Sequence, residues 1–378
     1  MLSGKRILFA TGGTGGHINP ALAVAGYIRR NAPDAQILFV GTAEKMEAKL
    51  VPAAGFDFKT IDISGFQRSL SWTNIKRNIG TLSKLLRASS QAKKILRDFK
   101  PDVVVGFGGY VSGPVLRMAA KMGIPTAIHE QNAYPGVTNK TLAKRVDRVM
   151  LTVQAAEKYL KPKNPCVLTG LPVRGEIVEA DRDFARAELG LDARPMVLSM
   201  GGSLGARAIN EAVVELIANK AAAGDCWFHH AYGQYGKWVP DKLREKGVDP
   251  DALDNVTVRE YISDMDRCLA AADLVICRAG ASSLSEFEAV GRASILIPSP
   301  NVAENHQFHN AMALVNNGAA VIIEEKDLTG DRLTAEVDAL LADPERLRTL
   351  GENAKKMAIP DTVERIASIL SDLAGSNI

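Results

Sequence analysis

A short apolar run that breaks into glycines and then into a helical pattern occurs twice in this chain. Arg6-Ile7-Leu8-Phe9-Ala10 leads into Thr11-Gly12-Gly13-Thr14-Gly15-Gly16-His17, and Met196-Val197-Leu198-Ser199-Met200 leads into Gly201-Gly202-Ser203-Leu204-Gly205-Ala206. Gly201 stands 189 residues after Gly12, half the length of the 378-residue chain. A loop nearly free of side chains between a strand and a helix lets a ligand reach bare N–H groups at the helix N-terminus. His17, directly after the first set of glycines, adds a group that titrates near neutral pH. The repetition predicts two Rossmann-like domains of α/β class, each a parallel sheet with right-handed helical crossovers. The chain is long enough for two such cores.

Further apolar runs fit that plan. Ile37–Val40, Val103–Gly106, Thr126–His129 and Val146–Thr152 read as strands of the first half. Trp227–Ala231, Val256–Arg259, Leu274–Cys277, Ser294–Pro298 and Ala320–Ile323 join Met196–Met200 in the second. Gly170-Leu171-Pro172-Val173-Arg174 breaks the pattern and marks the hinge, giving domains 1–171 and 172–359. A last helix, about 360–378, is free to pack back on the first domain.

Several classes of function fail on detail. The dinucleotide fingerprint needs G-x-G-x-x-G and an acid after the second strand. From Gly13 the spacing instead puts Ile18 at the last glycine, and the second strand ends in Gly41-Thr42. Neither loop ends in the Gly-Lys-Ser/Thr of a phosphate-binding P-loop. Cys166, Cys226, Cys268 and Cys277 form no C-x-x-C pair, which points to a reduced, cytosolic chain without a cysteine metal site. Lys5-Arg6 leads straight into the first strand, so no secretory leader is expected. The apolar runs fall short of the roughly 20 residues that cross a bilayer.

Three other loops carry chemistry. Arg278-Ala279-Gly280-Ala281-Ser282-Ser283-Leu284-Ser285-Glu286 follows a strand and offers amides and hydroxyls for phosphates, with a carboxylate for a ribose. The same residues fit a capping box in which Ser282 or Ser283 caps and Glu286 completes the box. His129-Glu130-Gln131-Asn132 through Asn139-Lys140, and Gly108-Gly109-Tyr110 through Pro114, follow strands at the sheet edge where ligands bind in open α/β folds. Their polar, unionised character suits a sugar. No D-x-D pair stands at a strand end, so no metal is expected.

Charge is unevenly spread. The whole chain is only +3, yet Gln67 to Arg97 carries eight basic residues and no acid. Trp72, Ile75, Ile79, Leu82 and Leu86 fall on one helical face within it, beside Lys76, Arg77, Lys84 and Arg87. A basic amphipathic helix lies on anionic lipid at about 1 kcal/mol per basic residue. The same pattern also describes a surface helix packed on its own domain.

The runs GGTGGHINPALAVA, GFGGYVSGP, HEQNAYPGVTNKTLAK, GLPVR, GGSLGARAIN, RAGASSLSE and HQFHNA, in this order, resemble one family closely. It is the family of bacterial transferases that move N-acetylglucosamine (GlcNAc) from UDP-GlcNAc to undecaprenyl-pyrophosphoryl-MurNAc-pentapeptide in peptidoglycan synthesis. The resemblance covers nearly the whole chain. It implies the GT-B architecture, two Rossmann-like domains facing across a cleft, with the acceptor bound by the first and UDP-GlcNAc by the second. It implies donor contacts by Thr14, Gly15, Gly16, Asn132, Arg174, Ser203, the Ile262 backbone, Ala281, Ser282, Ser283, Leu284, Ser285, Glu286 and Gln307. Gly13, Tyr110, His129, Glu130 and Asn139 are the acceptor-side candidates, and His17 is either the general base or the residue that orients its loop. The family commonly has two adjacent glutamines where this chain has His306-Gln307. By the same resemblance the chain is an inverting enzyme working peripherally on the cytoplasmic face of the inner membrane. Its partners are the two substrates, anionic lipid and cell-wall assembly proteins, with no nucleic acid and no cofactor. Another GT-B UDP-sugar enzyme, such as a UDP-GlcNAc epimerase, or an inactive nucleotide-sugar-binding scaffold would share part of these features.

Overall fold

The computed structural model describes residues 2–63 and 87–375. The proposed membrane contacts Trp72, Ile75, Lys76, Arg77, Ile79, Leu82, Lys84 and Leu86 lie outside the described residues. The chain forms two compact units, Met1–Pro172 with Ile359–Ile378, and Val173–Ala358.

The first unit is built on a seven-stranded sheet: β1 Arg6–Ala10, β2 Gln36–Gly41, β3 Asp57–Thr60, β4 Val103–Gly106, β5 Thr126–Glu130, β6 Arg148–Leu151 and β7 Val167–Leu168, in the order β3-β2-β1-β4-β5-β6-β7. The second holds six strands: β8 Met196–Met200, β9 Trp227–Ala231, β10 Val256–Arg259, β11 Leu274–Cys277, β12 Ala293–Leu296 and β13 Val321–Ile322, in the order β10-β9-β8-β11-β12-β13. Every pairing is parallel. Parallel sheets are covered on both faces, so their central strands are largely apolar. In β1, Ile7 and Phe9 enter one core and Leu8 and Ala10 the other. Phe9 stacks on Phe39 and Phe107 with ring centroids 4.9 and 6.0 Å apart.

Two strands escape sequence reading. β3, Asp-Phe-Lys-Thr, is an edge strand with one apolar residue, and β7 is two residues long. The run Val146–Thr152 is strand only over Arg148–Leu151, because Asp147 turns to bind the backbone N–H and hydroxyl of Thr126. The helix Thr362–Gly375 packs on the helix Gly15–Asn31 through Ile366, Leu370 and Leu373. Lys5 Nζ donates to the Ala374 carbonyl at 2.9 Å, a cation where the helix dipole is negative. The end of the basic segment, residues 87–99, is helical and buries Ala88, Ala92 and Leu96, leaving Arg87, Lys93, Lys94 and Arg97 exposed. This part packs on its own domain. Among the described residues no helix is long and apolar enough to cross a membrane.

Candidate active site

In each unit the strand order reverses beside the first strand, between β1 and β4 and between β8 and β11. Open parallel sheets bind ligands at the carboxyl ends of strands at such a point. Both glycine loops leave the sheet there.

In the first unit, the loop after β1 and the loop after β4 interlock. Gly109 has φ +79°, and a Cβ there would fall on the Gly12 carbonyl oxygen. A Cβ on Gly108, φ +94°, would come within 2.7 Å of His17 Nδ1. These two glycines let the loops touch and let the imidazole lie against bare backbone. Ser112 Oγ ties the loops from below, bonding the carbonyls of Ala10 and Gly108 at 3.0 and 2.8 Å. Glu47, fully buried, supports the loop from the side: its carboxylate accepts from Gly13 N and Thr42 N at 3.0 Å each and from Thr42 Oγ1 at 2.7 Å. No motif in the sequence marked Glu47, because its partners, Gly13 and Thr42, stand 34 and 5 residues away. The helix Gly15–Asn31 begins at Thr14 with no side-chain cap and no acid in its first turn. Its N-terminus, with Gly13, Thr14 and Gly16 exposed, keeps donors available for an anion or a sugar oxygen.

The residues of the HEQN run divide into two groups. His129 and Glu130 are buried, and so is Asn139 in the helix Val137–Leu142 that follows. Glu130 accepts from Asn132 N, Asn132 Nδ2, Gly136 N and Asn139 Nδ2 at 2.9–3.2 Å, which folds the 131–136 loop and the start of the helix Val137–Leu142 around one carboxylate. Burial still pushes its carboxyl above the usual range. His129 stacks on Phe107 and donates from Nε2 to the Gly170 carbonyl at 2.8 Å. Burial lowers its pKa to about 4, so the ring is neutral at pH 7. Tyr110, in contrast, is 60% exposed. Gln131, buried and absent from the sequence-derived site, bridges His17 and His129.

In the second unit a cavity of about 500 Å³ opens at the switch point, lined by residues 201–208, Arg278, Ser299, Asn301, Gln307 and Glu325. Gly205, φ +84°, lets the loop close on the Tyr232 carbonyl, and Gln234 N and Tyr235 N donate to Ser203 O and Leu204 O. The helix Arg207–Lys220 starts from Ala206, and the helix Ala281–Val290 from Gly280, both without a side-chain cap. The capping-box reading of Ser282, Ser283 and Glu286 is therefore not what the fold adopts. Ser203 and Gln307 share the cavity, and Gln307 Oε1 accepts from Ser299 N at 2.9 Å. Arg174 meets Glu286 at 3.4 Å, and the desolvated Glu286 carboxyl is raised despite that cation. Ile262 is buried beside His229, Arg259 and Cys268. His306 bonds the Ala303 carbonyl through Nδ1 at 2.8 Å, closing the turn before its helix. Arg278, held by Glu325 and the Ile297 carbonyl, is a cavity cation that the sequence-derived site did not include. Its signal was its place directly after β11.

Adjacent His229 and His230 on β9 are both buried, with pKa values lowered to about 4 by desolvation. A histidine depressed in this way contributes stability above its unfolded value of 6.5 and loses it as pH falls toward 4. Glu130, Glu286 and Glu288, whose pKa values burial raises, act with the opposite sign. Replacing His230 by Asn leaves those carboxyls in place. Urea unfolding of this variant between pH 6.5 and 4 is expected to lose stability less steeply, by up to about 1.4 kcal/mol per pH unit.

The sequence from 7 to 151 matches the model of the glycosyltransferase family 28 N-terminal domain, and 196–366 that of the family 28 C-terminal domain. A relative from Acetivibrio thermocellus is 46% identical over 97% of this chain and 98% of its own. One from Caldanaerobacter subterraneus subsp. tengcongensis is 45% identical over 97% of this chain and all of its own. Both are named UDP-N-acetylglucosamine–N-acetylmuramyl-(pentapeptide) pyrophosphoryl-undecaprenol N-acetylglucosamine transferase. Among solved structures, Acinetobacter baumannii MurG superposes with a TM-score of 0.77 at 29% identity, covering 97% of this chain and 99% of that one.

Proposed function

The chain belongs to glycosyltransferase family 28, and on that premise we propose that it transfers GlcNAc from UDP-GlcNAc to the MurNAc 4-hydroxyl of undecaprenyl-pyrophosphoryl-MurNAc-pentapeptide. The observation that carries this reading is the cavity at the second switch point. It offers a diphosphate an uncapped helix N-terminus, the Ser203 hydroxyl and Arg278, and offers a sugar the Gln307 amide. Glu286 is the partner for the ribose hydroxyls, the Ile262 backbone for the uracil, and Arg174 for the phosphates, exchanging its contact with Glu286 for the ligand. The 281–285 turn adds further amides and hydroxyls.

A sugar hydroxyl is a weak nucleophile at pH 7, so a base is needed as the bond forms. His17 takes the proton of the 4-hydroxyl while O4 bonds to the anomeric carbon. The bond from that carbon to the β-phosphate oxygen breaks, its electron pair leaves with UDP, and the α donor becomes a β-1,4 product. Thr14, Gly15, Gly16 and Asn132 position the donor, and Gly13 and Tyr110 the acceptor. His129, Glu130 and Asn139 serve the acceptor by holding the loops in shape. Purified protein with labelled UDP-GlcNAc and the lipid-linked MurNAc-peptide tests the reading. Transfer to give a β-1,4 disaccharide is expected, and no transfer overturns it.

An acceptor on an undecaprenyl chain requires work at a membrane surface. The basic amphipathic segment is the contact, peripheral and on the cytoplasmic leaflet where the nucleotide sugar is available. Reversing four of its charges, Lys76, Arg77, Lys84 and Arg87 to Glu, is expected to weaken binding to anionic vesicles at least tenfold, since each cation contributes about 1 kcal/mol. Turnover of a short-chain soluble acceptor should stay near the wild-type rate. Unchanged vesicle binding would remove the segment from this role.

A further inference from the structure

We infer that Gln131 is a positioning residue that fixes the proton of His17 on Nδ1, through a chain running from His17 through Gln131 and His129 to the Gly170 carbonyl. This inference rests on the reading of His17 as the base. Its first step is the orientation of the Gln131 amide. One end of that amide lies 3.0 Å from the Phe107 carbonyl oxygen and 3.2 Å from the His129 carbonyl oxygen. Two acceptors demand a donor, so this end is the NH₂ group. The other end, the amide oxygen, then faces His17 Nδ1 at 3.1 Å and must accept, which puts a proton on Nδ1. In a neutral imidazole the second nitrogen, Nε2, is then the basic one.

The far side of the chain agrees with this assignment. The NH₂ group also faces His129 Nδ1 at 3.2 Å, so that nitrogen accepts and the His129 proton sits on Nε2. There it donates to the Gly170 carbonyl at 2.8 Å. With desolvation holding His129 neutral, it presents a lone pair to the amide, as this arrangement requires. Every donor in the chain therefore meets an acceptor in one orientation only. A flipped amide would set its oxygen against two carbonyls at once. The arrangement is anchored at both ends by backbone: Gly108 packs under the His17 ring, and Gly170 leads into the residues that leave the first unit. An orienting group of this kind decides whether a histidine base faces its substrate with a lone pair or a proton.

The test begins with the wild-type protein. Nitrogen NMR of ¹⁵N-histidine-labelled protein, with His17 assigned by comparison with His17→Ala, should show neutral His17 protonated on Nδ1. A ring protonated on Nε2 overturns the inference without any variant. Gln131→Met removes the acceptor and should convert the His17 ring to a mixture or to the Nε2–H form. It should lower kcat about 10–100-fold with KM for UDP-GlcNAc within twofold. Full kcat in folded Gln131→Met, or a His17 ring that stays protonated on Nδ1 alone in that variant, overturns it. If His17→Ala itself turns over normally, the base reading fails, and the NMR assignment of the ring is left as a separate result.

Discussion

His17→Ala is expected to lower turnover of the lipid-linked acceptor about 10²–10⁴-fold, the usual contribution of a positioned general base. UDP binding to the purified variant should change little, because the described residues that line the cavity proposed for the diphosphate belong to the second unit and His17 is not among the donor contacts. The imidazole is partly exposed, with one ring nitrogen engaged by Gln131 and its face against Gly108. Removing it leaves the interlocked glycine loops, which are held by Ser112 and Glu47, intact. Thermal unfolding should therefore remain within a few degrees of wild type. A large loss of turnover with a native melting curve and native UDP affinity separates a chemical role from a structural one. Full turnover in the variant would leave His17 with loop orientation alone. A loss of turnover matched by an equal loss of folded protein would do the same.

The parts of this molecule that sequence reading reached are those with local signatures. β1, β4, β8, β9, β10 and β11 begin and end where the sequence runs do, because strands inside a sheet covered on both faces are largely apolar; the edge strand β10 was found from its alternating valines. The glycine loops were equally legible. A break from an apolar run into glycines has few local explanations besides a close backbone approach. What remained hidden was set by partners far away in sequence. Gln131 and Glu130 stand side by side in one motif, yet one bridges two imidazoles and the other gathers the loop and helix start that follow it. Their difference depends on where β4 and α-helical neighbours bring Phe107 and His17. Arg278 looked like the first residue of a serine-rich turn, and only Glu325 and the Ile297 carbonyl aim it into the cavity. The edge strand β3 was missed for the opposite reason. It is polar because it pairs on one side only, and polar four-residue strands have no pattern to find.

Glu47 supplies the second large effect, and it comes from a residue with no motif at all. Its carboxylate is fully buried, and its two oxygens serve different groups: Oε1 accepts from Thr42 N and Thr42 Oγ1, Oε2 from Gly13 N. Glu47→Ala removes three acceptor contacts and leaves two backbone N–H groups in a cavity. Each unsatisfied buried donor costs about 1–3 kcal/mol, so a loss on the order of 3–5 kcal/mol is expected in urea unfolding. Glu47→Gln is the more informative change because its volume is the same. The amide oxygen can satisfy Thr42 or Gly13 but not both, and its NH₂ group then faces a backbone N–H. Donor against donor pushes the glycine loop away from its support. His17 follows Gly13 by four residues, so turnover should fall at least tenfold even where most of the stability survives. Unfolding and turnover measured on the same preparation distinguish the cases. Wild-type values for both in Glu47→Gln would show that the loop keeps its shape without the second oxygen, and the support would then have to come from the Gly12–Gly109 contact and Ser112.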